Sequence, residues 1–74
     1  MSPNELLQFK RRKPFVPIRI RLVDGATFEV HEPHLLMVGI RATAVGIPAP
    51  SNHSLWDRLV EIDNFHISQV EPLV

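Results

Sequence analysis

Four consecutive cations, Lys10, Arg11, Arg12 and Lys13, are the densest charged feature of this chain. Such a run can neutralise phosphates, and its affinity would then fall steeply with salt. It can equally be a solvated helix end, where cations offset the macrodipole. Only Phe9 and Phe15 flank it, which is poor aromatic interleaving for stacked bases. His31 and His34 form a His-x-x-His pair. Zinc needs both rings to converge, yet side chains three apart on extended backbone point to opposite faces. Only a redirection at Pro33 would bring them together, so His31 is expected on the surface near Glu29 and Arg19. Ser51, His53, Ser54 and Asp57 are residue types that hydrolases use, but no strand–turn–helix scaffold surrounds them. His66 sits at a turn, where it is either buried and hydrogen-bonded to local backbone or lines a pore. The turn position favours the first. The candidate nucleic-acid contacts are therefore Lys10, Arg11, Arg12, Lys13 and His66. No catalytic residue, metal site or cofactor is expected. Nor is a small-molecule substrate, because a domain of 74 residues encloses a substrate pocket only if subunits share one.

These residues must be positioned by few elements. "SPNE" starts a helix: Ser2 and Glu5 can cap each other, and Pro3 at the first helical position loses no needed donor. Leu6 and Leu7, with Phe9, form a narrow apolar stripe, and Pro14 ends the helix near Arg11 or Arg12. So short a helix must dock on something. From Pro17 the chain alternates, with Ile18, Ile20 and Leu22 on one face and Arg19 and Arg21 on the other. After a turn, Ala26, Phe28 and Val30 share a face, which is half-buried antiparallel strand.

The hairpin register follows from that pattern. A two-residue Asp-Gly turn would set Ile20 against Glu29, placing apolar and charged groups on one face. A three-residue loop, Val23-Asp24-Gly25, pairs Leu22 with Ala26, Ile20 with Phe28 and Ile18 with Val30. It requires a left-handed residue where Gly25 stands. "HEPH" then breaks the second strand at Pro33. Leu35 to Ile47 reads as a third extended segment bent at Gly39 and Gly46. "PAPSNHS" (48–54) reads as a loop, 55–63 as a strand, Asn64 as a turn and "FHISQVEPL" as a short last strand. The expected fold is mainly β, a single domain over 1–74. Residues 1–13 form the N-terminal helix and 14–74 a five-stranded SH3-like barrel. Its expected core is Ile18, Ile20, Leu22, Phe28, Val30, Val60 and Ile62, covered by Leu6 or Leu7.

The totals bear on assembly. A core this small is marginal, and without cysteine neither disulfides nor thiolate metal sites can support it. That leaves oligomerisation. The absent cysteine and the lack of an apolar leader or spanning run point to a cytoplasmic protein with no membrane partner. Formal net charge is zero, but residues 1–21 hold six basic groups against one acid (+5) and residues 22–74 two against seven (−5). The two ends could attract between subunits. Trp56, Leu59, Ile67, Val70 and Leu73 are apolar groups that one small barrel would not fully bury. They are the expected homo-oligomer interface, with strand 55–63 of one subunit pairing with strand 67–73 of the next. Such a head-to-tail contact closes into a ring if the rotation permits.

The stretches "PFVPIRIRLVDGATFEVHEP", "MVGIRATAVGIP", "WDRLVEI" and "HISQVEPL" resemble a family of short bacterial proteins that brings no established activity. The resemblance adds no catalytic residue. More distantly, "IRLVDGATFEV" resembles the first hairpin of Sm-like proteins, and "NFHISQVEPL" the turn into their last strand. That resemblance implies an N-terminal helix, five bent strands and a ring built by pairing strands four and five across subunits. Sm-like RNA sites also use an aspartate and an asparagine after strand two, and an Arg-Gly or Lys-His pair between strands four and five. This chain has "EPHLLMV" at the first place, without the asparagine, and Asn64-Phe65-His66 at the second. The likeness therefore implies architecture more than RNA binding. A protein-interaction or structural module with no nucleic-acid role is the alternative reading.

Overall fold

A computed structural model describes residues 1–73, and Val74, the end of the expected barrel range, lies outside them. The chain forms α1 (Pro3–Lys10), β1 (Ile18–Leu22), β2 (Thr27–Val30), β3 (Leu36–Val38), β4 (Ala42–Ala49), β5 (Asn52–Asp63) and β6 (Ile67–Pro72). Single 3-10 turns lie at Pro33–Leu35 and Asn64–His66. Helix α1 starts as its sequence dictates: the Ser2 hydroxyl accepts from the Glu5 amide at 3.3 Å, and Glu5 Oε1 accepts from the Ser2 amide at 3.2 Å. Its Leu6 is fully buried. This anchors a helix too short to persist alone.

The fold is mainly β, but it is not a closed barrel and has six strands rather than five. Two three-stranded antiparallel sheets form, ordered β2-β1-β6 and β3-β4-β5. The expected strand 35–47 is in fact two strands. Gly39, Ile40 and Arg41 reverse the chain, and β3 pairs back on β4 with Val38 opposite Thr43. Gly39 permits the reversal, because a Cβ there would stand 2.5 Å from the Ala42 carbonyl oxygen. The expected loop 48–54 is also largely strand. Strands β4 and β5 run on past the core to Ala49 opposite Asn52, leaving only Pro50 and Ser51 to turn. The first hairpin keeps the derived register, with Ile18 opposite Val30, Ile20 opposite Phe28 and Arg21 opposite Thr27. Its loop closes through Leu22 N–H to Ala26 O at 2.8 Å, and Gly25 lies at φ 94°.

Leu6, Ile18, Ile20, Val30, Leu35, Leu36, Val45, Ile62, Ile67 and Val70 form one buried cluster drawn from both sheets and the helix. Leu22, Phe28 and Val60, expected in the core, pack against it only partly buried. Ile67 and Val70, expected at an oligomer interface, are instead core residues. They take that place because β6 pairs with β1 at the centre of the first sheet, with Val70 opposite Ile20. No helix among the described residues is long and apolar enough to cross a membrane.

The ladder fixes which main-chain groups remain open. Leu73 N–H bonds to Pro17 O, so by alternation Gln69 and Glu71 bond toward β1. Val70 and Pro72 then turn their backbone to the outer edge of β6, and Pro72 has no N–H to offer. Asn64 N–H bonds to Arg41 O, so Ile62 and Val60 bond toward β4. The main-chain groups of Leu59, Glu61 and Asp63 then face the outer edge of β5. Gly25→Ala should cost about 1–2 kcal/mol, read as a lower urea midpoint at unchanged slope. A Cβ there meets nothing within 4 Å, so the loss reports backbone conformation alone.

Candidate functional site

One end of the molecule is organised around a single buried amide. Asn64, 3% exposed, accepts at Oδ1 from the Thr43 hydroxyl at 2.6 Å. Its Nδ2 donates to Gly39 O at 2.9 Å and Ile40 O at 3.3 Å. Its own N–H donates to Arg41 O, and its carbonyl accepts from the Met1 ammonium at 2.8 Å. One side chain thus locks the β3–β4 turn to the β5–β6 turn. The next carboxylate helps, because Asp63 Oδ1 accepts from Phe65 N–H at 2.9 Å and shapes the second turn. His66 adds a third tie, its carbonyl accepting from Val23 N–H of the first hairpin loop at 2.8 Å.

What those clamped turns display is apolar. Ile40 and Phe65 are each 87% exposed, far more than a hydrophobe in a packed fold requires. Arg41 and His66, both exposed, follow them in sequence. Of these four, only His66 was singled out from sequence. It is exposed rather than buried and bonded through its ring, so the expectation of a satisfied turn histidine is corrected. Ile40 and Phe65 gave no periodic signal. The available clue was Asn64 itself, a short amide between a strand and an aromatic residue.

The basic run is not brought to this end. Met1 touches Asn64, whereas Lys10 closes the opposite end of α1, about 12 Å along an eight-residue helix, and Arg11 to Lys13 lie past it. Nor does the run act as a block. Lys10 Nζ donates to the edge carbonyl of Leu36 at 2.6 Å. The Arg12 guanidinium stands 5.1 Å from the Phe9 ring centroid, a cation–π contact. Arg11 and Lys13 are exposed and have no side-chain partner among the described residues.

The charge asymmetry along the chain is cancelled in space only in part. Arg19 reaches Glu29 at 3.1 Å and Glu71 at 3.7 Å, and Arg21 reaches Glu71 at 3.5 Å. The hydrogen bond from Arg19, then that from His31, holds the Glu29 carboxyl below the ordinary range. Two cations counted toward a positive end are therefore neutralised within the sheet, which weakens the expected attraction between ends.

His31 and His34 engage different partners. His31 lies 3.2 Å from Glu29 Oε1, and His34 Nε2 donates to Ser54 O at 2.6 Å. The carbonyl can only accept, so His34 Nε2 carries the proton. No three His, Asp or Glu side chains converge on a metal-sized site among the described residues.

Of the expected interface residues, Trp56 and Leu59 are 51% and 44% exposed, and Leu55 beside them is 59% exposed. Leu73 is half-buried and bonds its backbone to Pro17. No family model, no curated protein and no solved structure matches the chain.

Replacing Asn64 by Ala leaves the Thr43 hydroxyl and the Gly39 carbonyl without their partner. Unfolding stability should fall by about 1–3 kcal/mol. In amide exchange, protection should be lost first at Gly39 and Asn64, ahead of Ile18 and Ile20.

Proposed function

We propose that the chain is a non-catalytic binding module that assembles with copies of itself by pairing open strand edges head to tail. The carrying observation is the outer edge of β5. Its Leu59, Glu61 and Asp63 main-chain groups have no strand beside them among the described residues, and Leu55, Trp56 and Leu59 stand exposed along the same strand. Strand β6 offers the complementary edge through Val70. Counting β2 and β3 as one strand broken at Pro33 recovers the five-strand order of an Sm-like barrel, and this supports the ring reading. In that order the loop after strand two is Gly39–Arg41, not the "EPHLLMV" stretch.

The pairing has a parity that favours it. Groups facing the β5 edge belong to residues whose side chains point away from the core, such as Leu59. Those facing the β6 edge belong to Val70, whose side chain points into the core. Residues directly opposite share a face, so the contact sets exposed apolar groups of one copy beside the core margin of the next. Two sheets packed face to face present opposite inner faces, and a head-to-tail repeat needs that alternation.

Sedimentation at micromolar concentration should give a species several times the 8.4 kDa chain mass. Leu59→Asp should return it to a folded monomer, since Leu59 is 44% exposed and lies outside the buried core of a single copy. A folded monomer of the unaltered chain would end the proposal.

A nucleic-acid role is the second reading, favoured by the turn end and not by the helix. Phe65 is an exposed ring on a rigid turn, suited to stacking a base at about 1–3 kcal/mol. Arg41 beside it suits a phosphate. Phe65→Ala should weaken binding of single-stranded RNA at every salt concentration. Arg41→Gln should lower the salt slope by about 0.7. Neutralising Lys10, Arg11, Arg12 and Lys13 together should matter less. If the unaltered protein does not bind at low salt, the protein-interaction module is the reading that remains.

A further inference from the structure

We infer that Asp24 is a covalent modification site, where the chain isomerises spontaneously to isoaspartate, and that two hydrogen bonds of the folded loop restrain the reaction. The reacting groups both belong to the chain: the Asp24 carboxyl and the Gly25 main-chain nitrogen. The inference concerns one copy of the chain and does not depend on assembly or on nucleic acid.

The chemistry favours an acid followed by a residue with no side chain. The Gly25 nitrogen attacks Asp24 Cγ and a C–N bond forms. A carboxyl oxygen leaves as water, taking the amide proton, and a cyclic imide results. Water then opens the imide. Attack at the former side-chain carbonyl restores aspartate, and attack at the main-chain carbonyl gives isoaspartate. The mass is unchanged, but the backbone now runs through Cβ and Cγ. A side chain on the following residue crowds the attacking nitrogen, and Gly25 has none. Only Asp24 among the aspartates precedes a glycine, since Asp57 precedes Arg58 and Asp63 precedes Asn64.

Access favours the site. Asp24 and Gly25 are both exposed, so water reaches the carboxyl and any imide formed there. What opposes ring closure is bonding. Gly25 N–H, whose proton must leave, donates to Leu22 O at 3.0 Å. The carboxyl that must meet it is engaged elsewhere, with Oδ1 accepting from Ala26 N–H at 2.9 Å. The loop is also pinned on both sides, by Leu22 N–H to Ala26 O and by Val23 N–H to His66 O, each at 2.8 Å. The fold therefore holds the susceptible pair in the open with both reacting groups occupied. Opening the hairpin frees them together. Once formed, isoaspartate does not suit this loop. The carboxyl that accepts from Ala26 N–H becomes a main-chain amide, and the added backbone atom changes the loop length that sets the register.

The test is to age the full chain at neutral pH, in buffer and in guanidinium chloride, and to follow isoaspartate at each aspartate. Electron-transfer fragmentation distinguishes it from aspartate at equal mass. In denaturant, isoaspartate should accumulate at Asp24 ahead of Asp57 and Asp63. In buffer it should form more slowly at Asp24 by about tenfold or more, the protection that two ordinary hydrogen bonds give. Gly25→Ala supplies a second measurement. Its methyl group slows the reaction in both solvents, but it strains the left-handed loop, so its ratio of denatured to native rates should fall below that of the unaltered chain. No accumulation at Asp24 in denaturant overturns the site. Equal rates in the two solvents, or an unchanged ratio in Gly25→Ala, overturn the restraint by the loop.

Discussion

The architecture depends on one buried amide. Without the Asn64 side chain, two turns from different parts of the chain would have no shared partner, and partly buried carbonyls at Gly39 and Ile40 would lose their donors. A buried polar group of this kind is costly unless every bond is made. Here Oδ1 has the Thr43 hydroxyl and Nδ2 has two carbonyls. Satisfaction is possible only in one relative placement of β4 and β5. The amide therefore acts as a register pin for the second sheet, where the apolar pattern alone would tolerate sliding. From that pin the β4–β5 ladder runs outward through Val45 opposite Val60 to Ile47 opposite Arg58.

The sequence disclosed those elements whose local pattern had one physical solution. Alternation of Ile18, Ile20 and Leu22 against Ala26, Phe28 and Val30 left a single turn length compatible with one apolar face. Gly25 met the left-handed requirement of that turn. Ser2, Pro3 and Glu5 marked the helix start for a similar reason. Where two outcomes were locally equivalent, pattern could not choose. Glycine at Gly39 suits a bend or a reversal, and the choice fell to Asn64, which is 25 residues away from Gly39. Proline at 48 and 50 suggested a loop, yet the ladder accommodates Pro48 by an irregular register opposite Trp56.

Function was less readable because charge in sequence is not charge in space. The run Lys10 to Lys13 looked like a patch. In the fold one member caps a strand-edge carbonyl and another covers Phe9. Arg19 and Arg21 sit among Glu29 and Glu71 because β2, β1 and β6 are neighbours in one sheet, a long-range fact. Conversely, Ile40 and Phe65 were inconspicuous as letters. They stand out only because rigid turns hold them in solvent.

Pro72 has a consequence for the failure mode of this protein rather than for its working state. A small β domain with four edge strands among the described residues, β2, β6, β3 and β5, and near-zero net charge has the ingredients for cross-β growth, in which strands add without limit. At the outer edge of β6 the ring of Pro72 interrupts the donor row one pair beyond Val70. On β5 the edge-facing positions Glu61 and Asp63 carry like charges. Stacked in-register copies would place each of these acids directly above its twin, which is unfavourable in a dry interface. A contact between unlike edges sets neither acid against its twin and meets the proline once, while an endless one between like edges meets these penalties at every layer. The proline and the two acids thus act as gatekeepers against amyloid.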